Sequence, residues 1–195
     1  MQFIVATNNQ GKLHEISLIL KKYGIEAISL QQAGVNIEPE ETGDTFYANA
    51  LIKAEAISSA TGKPVIADDS GLVVHALGGA PGVHTKEYGG EGLSAAERCR
   101  FLLEKMKKME LRDAKFVCTI VCMFPDGKIL STEGECHGEI SRELIGSGGF
   151  GYDPVFYVKE LDKTMAQLTS EEKNAVSHRG EALKKFSEIL AKINV

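Results

Sequence analysis

The spacing of apolar and polar positions along the chain predicts an alternation of helices and strands. Apolar residues recur every three or four positions in predicted helices and form short runs in predicted strands. The predicted strands cover 2–6, 25–30, 63–74, 114–124, 129–140 and 155–158. The predicted helices cover 13–23, 46–60 and 95–109, with a last one through Leu183, Phe186, Leu190 and Ile193. The turn PDGK joins two of these strands as a hairpin, so we expect an α/β fold with a mixed sheet.

Composition narrows the class of protein without naming a function. The chain has 195 residues with 43% hydrophobic and 25% charged residues, so we expect a single domain over 1–195. A net charge of −5 argues against a partner that is a nucleic-acid polymer. No apolar run is long enough to cross a membrane, and MQFIVATNN lacks the features of a secretion signal. The four cysteines show no CxxC spacing, which favours reduced, buried thiols and a cytoplasmic location.

The segment PVIADDSGLVV places two adjacent carboxylates inside an apolar, β-prone run. A buried carboxylate costs several kcal/mol unless a cation compensates it. Successive side chains of a strand point to opposite faces, so only one of Asp68 and Asp69 is expected to line a cleft. The other is expected to bond to the backbone or a lysine. An Asp-Ser-Gly turn that ends the strand is the alternative.

Two N-terminal segments carry candidate groups for binding an anion and a cation. TNNQGK (7–12) connects a strand to a helix, and the free N–H groups of a helix start, with Lys12, suit an anion. A plain Asn cap with a solvated lysine is the alternative. EPEETG crowds Glu38, Glu40 and Glu41 before a helix, which suits either a cation or solvent. Asn49 and Lys53 share a face of that helix, one turn apart.

Two C-terminal segments add aromatic and cationic side chains. GSGGFGYDP (146–154) carries Phe150 and Tyr152 on a glycine-rich loop, which suits stacking on a base or burial of the rings in the core. EEKNAVSHRG (171–180) carries Lys173, His178 and Arg179, which are either ligand donors or ordinary surface and cap residues. Taken singly, neither segment decides between these alternatives.

The order of these segments resembles the inosine triphosphate pyrophosphatase family. TNNQGK, EETG, ADDSG, GGAPG, GGFGYDP and EEKNAVSHRG span nearly the whole chain, and GGFGYDP and SHRG are the most specific. The resemblance implies a long mixed sheet flanked by helices, two lobes with a deep cleft between them, and a homodimer. It also implies Mg²⁺-assisted hydrolysis of ITP, dITP and XTP, with Mn²⁺ as a possible substitute.

The same resemblance implies roles for particular residues. Glu40 and Asp69 would hold the metal, and Asp69 is also the candidate catalytic base. Asn49, Lys53 and Asp68 would support the site. The residues expected to bind the substrate are Thr7, Asn8, Asn9, Gln10, Gly11, Lys12, Ser70, Phe150, Gly151, Tyr152, Asp153, Lys173, His178 and Arg179.

The implied reaction is attack of water on the α-phosphorus with departure of pyrophosphate, helped mainly by positioning and charge compensation. Arg179, a pure donor, would favour a 6-oxo purine over adenine. Two alternatives stay open at this point. One is a pyrophosphatase for modified pyrimidines or canonical nucleotides, and the other is a nucleotide-binding module without catalysis.

Overall fold

The computed structural model describes residues 2–193. Its strands form a seven-stranded sheet in the order β2-β1-β3-β4-β5-β6-β7. The strands are β1 (Gln2–Val5), β2 (Glu26–Ser29), β3 (Val65–Val74), β4 (Asp113–Met123), β5 (Ile129–Ile140), β6 (Phe156–Val158) and β7 (Lys163–Thr164). β1 runs parallel to β2 and β3, whereas the pairs from β3 to β7 are antiparallel. The predicted α/β class with a mixed sheet is confirmed.

Helices flank this sheet, and a polar side chain caps the start of each α-helix. Within residues 2–193 they are α1 (Gln10–Lys22), α2 (Phe46–Thr61), α3 (Ala95–Lys105), α4 (Ser170–Val176) and α5 (His178–Lys192). The capping residues are Asn9, Thr45, Ser94, Thr169 and Ser177. None of these helices is long and apolar enough to cross a membrane.

Alternation along β3 divides the core between the two faces of the sheet. Ile66 packs in a cluster with α1 and α5, and Leu72 packs in a second cluster with α3. Val65 points to the other face, where a third cluster includes α2. The two ends of the sheet thus form two lobes. Both α3 and α5 cover the same face of the sheet, α3 at one end and α5 at the other.

A cleft forms where β1 ends and β3 continues. β3 pairs with β1 only at Val65 and Ile66, and residues 80–85 cover that edge further along, at 71–74. The Leu72 N–H donates to Thr85 Oγ1 at 3.0 Å, and a Cβ at Gly71 would lie 2.3 Å from the Gly82 carbonyl oxygen. Glycine in the middle of this strand therefore permits close approach of the covering segment.

Several details of the chain differ from the expectations drawn from the pattern. The helix predicted over 13–23 begins at Gln10, and β7 was not predicted. ADDSG is an unbroken part of β3, so the turn alternative is wrong. The helix predicted over 95–109 ends at Lys105, where bonds that span four residues give way to turn bonds that span three. The Arg112 guanidinium donates to the Met106 and Met109 carbonyls of this turn. The last helical region is split at Ser177, whose extended backbone (ψ 153°) ends α4 and whose hydroxyl caps α5.

Candidate active site

The loop after β1 presents the start of α1 to the cleft. Asn9 Oδ1 accepts the Lys12 N–H at 3.0 Å, and Thr7 Oγ1 accepts the Asn9 N–H at 3.2 Å. Asn8 and Gln10 are exposed, whereas Lys12 is buried. These bonds hold a polar loop and one lysine at the positive end of a helix dipole, as the pattern predicts.

Lys12 and Arg179 converge on one buried carboxylate, Asp68. Lys12 Nζ and Arg179 Nη2 each lie 3.0 Å from Asp68 Oδ2. Arg179 also donates to Ser70 Oγ at 3.0 Å and to Glu15 Oε2 at 2.6 Å. Burial alone would raise the pKa of Asp68, but the charges of Lys12 and Arg179 outweigh it and hold that pKa far below its usual range. Asp68 is therefore ionised at neutral pH and fixes both cations.

Asp69 points to the opposite face of β3, towards α2. Its Oδ2 accepts from Asn49 Nδ2 at 3.2 Å, and its Oδ1 lies 3.7 Å from Lys53 Nζ. Burial raises the pKa of Asp69, and the charge of Lys53 offsets that effect only in part. The pKa of Asp68 is lowered whereas that of Asp69 is raised, because Asp68 has two cations at 3.0 Å and Asp69 has one at 3.7 Å. A further positive charge beside Asp69 would therefore be stabilised.

The acidic segment before α2 contributes Glu41 to this network. Glu41 lies 3.2 Å from Lys53 Nζ and 2.6 Å from Lys86 Nζ, and these charges lower its pKa although burial opposes them. Glu40, the residue predicted to hold a metal, is exposed. The Gly43 N–H donates to Asn49 Oδ1 at 2.7 Å, which fixes the segment close to Asp69. The metal-binding role of Glu40 stays a prediction.

The glycine-rich loop 146–154 is held by a buried ion pair. Asp153 Oδ2 accepts from Lys173 Nζ at 2.5 Å and from the Phe150 N–H at 2.8 Å. Lys173 Nζ lies 4.5 Å from the centre of the Phe150 ring, and a Cβ at Gly11 would lie 2.5 Å from that ring. The loop and the start of α1 are thus packed together, which sets the position of the aromatic ring.

His178 and Tyr152 form further parts of the same wall. The imidazole stacks on Phe116 with ring centres 4.8 Å apart and an angle of 15°. Burial, followed by the charge of Arg179, lowers the pKa of His178 well below its usual value, so the ring is neutral at pH 7. The Tyr152 hydroxyl donates to the Thr85 carbonyl at 3.1 Å and joins the loop to the segment that covers β3.

These groups border two cavities. The first, of about 240 Å³, is lined by Thr7, Asn8, Asn9, Lys12, Glu41, Lys53 and Lys86 among others. The second, of about 330 Å³, is lined by Ser70, Arg98, Phe116, Phe150, Gly151, Tyr152, Asp153, Lys173, His178 and Arg179 among others. Asn9, Lys12 and Lys86 line both cavities, so the two are neighbours. Of the predicted site residues, six line neither cavity: Gln10, Gly11, Glu40, Asn49, Asp68 and Asp69.

Sequence reasoning missed four residues of this site. Glu15 bridges Lys173 and Arg179 at 2.7 Å and 2.6 Å, and its place beside Ile16 on the buried side of α1 was a usable signal. Lys86, Arg98 and Phe116 had no local signal, because their role depends on which other elements the fold brings beside them.

The site defines an α/β protein in which a cavity lined by three lysines and two glutamates adjoins a second cavity lined by aromatic rings and further cations. Such a pair of cavities suits a ligand with an anionic tail and a flat ring. The model of the Ham1 family matches residues 3–189. The chain belongs to the Ham1 family, which confirms the family resemblance seen in the sequence.

Several known proteins are similar to this chain over almost its whole length. The dITP/XTP pyrophosphatase of Bacillus licheniformis is 48% identical over 191 residues, covering 97% of both chains. That of Bacillus subtilis is 47% identical over 189 residues, covering 96% of both. The Ham1 protein of Staphylococcus aureus has a TM-score of 0.87 at 41% identity, covering 98% of this chain and 99% of its own.

Proposed function

We propose that this protein hydrolyses non-canonical purine nucleoside triphosphates, namely ITP, dITP and XTP, to the monophosphate and pyrophosphate. The observation that carries the proposal is the meeting of the two cavities at Asn9, Lys12 and Lys86. The first cavity suits a triphosphate, and the second suits a purine. The names of the relatives as dITP/XTP pyrophosphatases support the same substrate class.

The donor set fits a magnesium ion. Mg²⁺ in phosphate-transfer sites takes one or two carboxylates together with phosphate oxygens, so it needs no all-protein cage. Among residues 2–193 no group of three or more His, Cys, Asp or Glu side chains is arranged to hold a metal. We propose Asp69 and Glu40 as the ligands, since Asp69 is a buried carboxylate short of positive charge. Mn²⁺ accepts the same oxygen ligands.

The chain's own residues would position the triphosphate and compensate its charge. Lys12 and Lys53 contribute positive charge in the first cavity, and the free N–H groups at the start of α1 contribute donors. The bound metal would add charge compensation and lower the pKa of a coordinated water. Asp69, ionised above its raised pKa, would accept the proton of the water that attacks the α-phosphorus. Asn49 orients Asp69 for that role.

The second cavity would bind the base. Phe150 offers a ring for stacking, and the Asp153–Lys173 pair holds its loop. Arg179 uses its terminal nitrogens on Glu15, Asp68 and Ser70, while its Nε–H is buried without a partner in residues 2–193. Nη1 keeps a second N–H, which would favour the 6-oxo group of hypoxanthine or xanthine over the 6-amino group of adenine.

Location and assembly are part of the proposal. Four reduced, buried cysteines suit a cytoplasmic protein, and the family resemblance implies a homodimer. Analytical ultracentrifugation of the purified protein tests whether it is a homodimer.

A panel of nucleotides tests the proposed activity. ITP, dITP, XTP, GTP, ATP and dTTP are incubated with the protein and Mg²⁺, with and without EDTA, and the products are identified by chromatography. We expect the monophosphate and pyrophosphate from the first three nucleotides and no turnover with EDTA. Tight binding of ITP without hydrolysis would instead favour a binding module, and release of orthophosphate would contradict attack at the α-phosphorus.

A further inference from the structure

Arg98 lines the second cavity from α3, whereas Arg179 lines it from α5. Arg98 is the fourth residue of α3 and borders the cavity together with Ala95. α3 packs in the core cluster of Leu72, whereas α5, which carries Arg179, packs in the cluster of Ile66. Both helices lie on the same face of the sheet at different ends, so the two guanidinium groups reach the cavity from different sides.

Arg98 differs from the other cations of the two cavities in its lack of an anionic partner. Each of the other five pairs with a carboxylate: Lys12, Lys53, Lys86, Lys173 and Arg179. Within residues 2–193 the Arg98 guanidinium forms no ion pair, and its one hydrogen bond runs from Nη2 to the Leu93 carbonyl at 3.0 Å. Its Nε is buried without a partner among the same residues. Donors and a positive charge therefore remain available at this wall.

Xanthine, hypoxanthine and guanine differ from one another in the group at the 2-position of the purine ring. Xanthine has a 2-oxo acceptor, hypoxanthine has hydrogen, and guanine has a 2-amino donor. Xanthine is also the most acidic of the three bases, so it readily takes negative charge. A guanidinium has only donors and stays charged. It would therefore favour xanthine, be indifferent to hypoxanthine and oppose guanine.

We propose that Arg98 is a specificity-determining residue that donates to the 2-oxo group of xanthine and disfavours guanine. The inference rests on the proposed function, because it takes the second cavity as the base site. It extends that function by giving GTP, which shares the 6-oxo group, a reason to be rejected. With Arg179 at the 6-position, the two arginines would read both substituted edges of the six-membered ring.

Three variants separate this role from a general effect on folding. Arg98→Met removes the donors while keeping an unbranched side chain, and Arg98→Lys keeps the charge without the planar fork. Arg100→Met is the matched control, because Arg100 lies on the same helix, is exposed and borders a different surface cavity. The kcat/KM of each variant is measured for XTP, ITP and GTP, together with its thermal midpoint.

We expect Arg98→Met to lower kcat/KM for XTP by about 10- to 100-fold, the range of a lost charge-assisted hydrogen bond. ITP should stay within about twofold, and the ratio of GTP to XTP should rise by at least about tenfold, by the same reasoning. Arg98→Lys should keep part of the preference for XTP, and Arg100→Met should match the wild type.

Two results would overturn the inference. One is an unchanged XTP-to-ITP ratio in Arg98→Met, and the other is an equal loss for both substrates, which would indicate a structural role. Failure of the proposed function is distinguishable, because the wild type would then release no pyrophosphate from ITP. In that case calorimetric binding of XMP and IMP to the wild type and to Arg98→Met still decides whether Arg98 reads the 2-position.

Discussion

Replacement of each of the two adjacent aspartates by asparagine should have opposite effects on stability. Asp68 is 1% exposed, and its Oδ2 is shared by Lys12 and Arg179 at 3.0 Å each. Asp68→Asn keeps the shape but leaves two buried cations without this charge. Asp69 has its pKa raised by burial, and its one ion pair within residues 2–193 is with Lys53, at 3.7 Å. Asp69→Asn therefore removes a charge that the fold compensates poorly.

The expected magnitude follows from the cost of breaking a buried ion pair. Removal of one partner from such a pair costs about 3–5 kcal/mol of unfolding free energy. For a domain of this size each kcal/mol shifts the thermal midpoint by about 2–4 °C, so Asp68→Asn should melt about 6–20 °C below the wild type. Asp69→Asn should melt at or above the wild type while losing about 10²- to 10⁴-fold in kcat, as expected for a missing general base.

The pH dependence of the two variants gives a second test. The pKa of Asp68 is lowered by folding, so its stabilisation is complete above the unfolded pKa near 4 and declines as the pH falls below it. The deficit of Asp68→Asn should therefore hold from about pH 7 to about pH 4 and narrow in stronger acid. The pKa of Asp69 is raised, so any advantage of Asp69→Asn should disappear as the wild-type carboxyl becomes protonated.

Thermal melting by circular dichroism and pyrophosphate release from ITP measure both properties on the same preparations. The reasoning would be refuted by an Asp68→Asn protein that melts within about 2 °C of the wild type, less than the shift expected for even one kcal/mol. It would equally be refuted by near-normal turnover of Asp69→Asn, or by a loss of stability in that variant as large as in Asp68→Asn.

Three further changes test separate parts of the site. Arg179→Ala should reduce the preference for ITP over ATP, measured as a ratio of kcat/KM values, and an unchanged ratio would exclude its role at the 6-position. Gly11→Ala would place a Cβ 2.5 Å from the Phe150 ring, so KM for ITP should rise about 5- to 100-fold, but not in a Phe150→Ala background. Lys53→Met should move the acid limb of kcat/KM to higher pH, because Lys53 is the main charge that lowers the pKa of Asp69. Lys63→Met, an exposed lysine, should leave that limb in place.

The sequence pattern predicted those features that depend on residues close together along the chain. The alternation along β3 predicted that Asp68 and Asp69 point to opposite faces, and in the structure Asp68 bonds to α5 whereas Asp69 bonds to α2. The predicted end of α3 was wrong, because the bonds after the one from the Met106 N–H to the Leu102 carbonyl span three residues instead of four. Arg112 joins this turn to the Ile140 and Ser141 carbonyls, 28 and 29 positions further along the chain, and a local window does not contain those contacts.

The amino-acid sequence by itself determined the alternation of helices and strands, the starts of α2 and α3, and the family, since these follow from the order of residues along the chain. Only the tertiary structure decided which charges meet. Glu15 reaches Arg179 across 164 positions, and Asp68 reaches it across 111. The pairing of charges depends on distances of a few ångströms through a medium of low polarity, and only the packing of α1, α5 and β3 sets those distances.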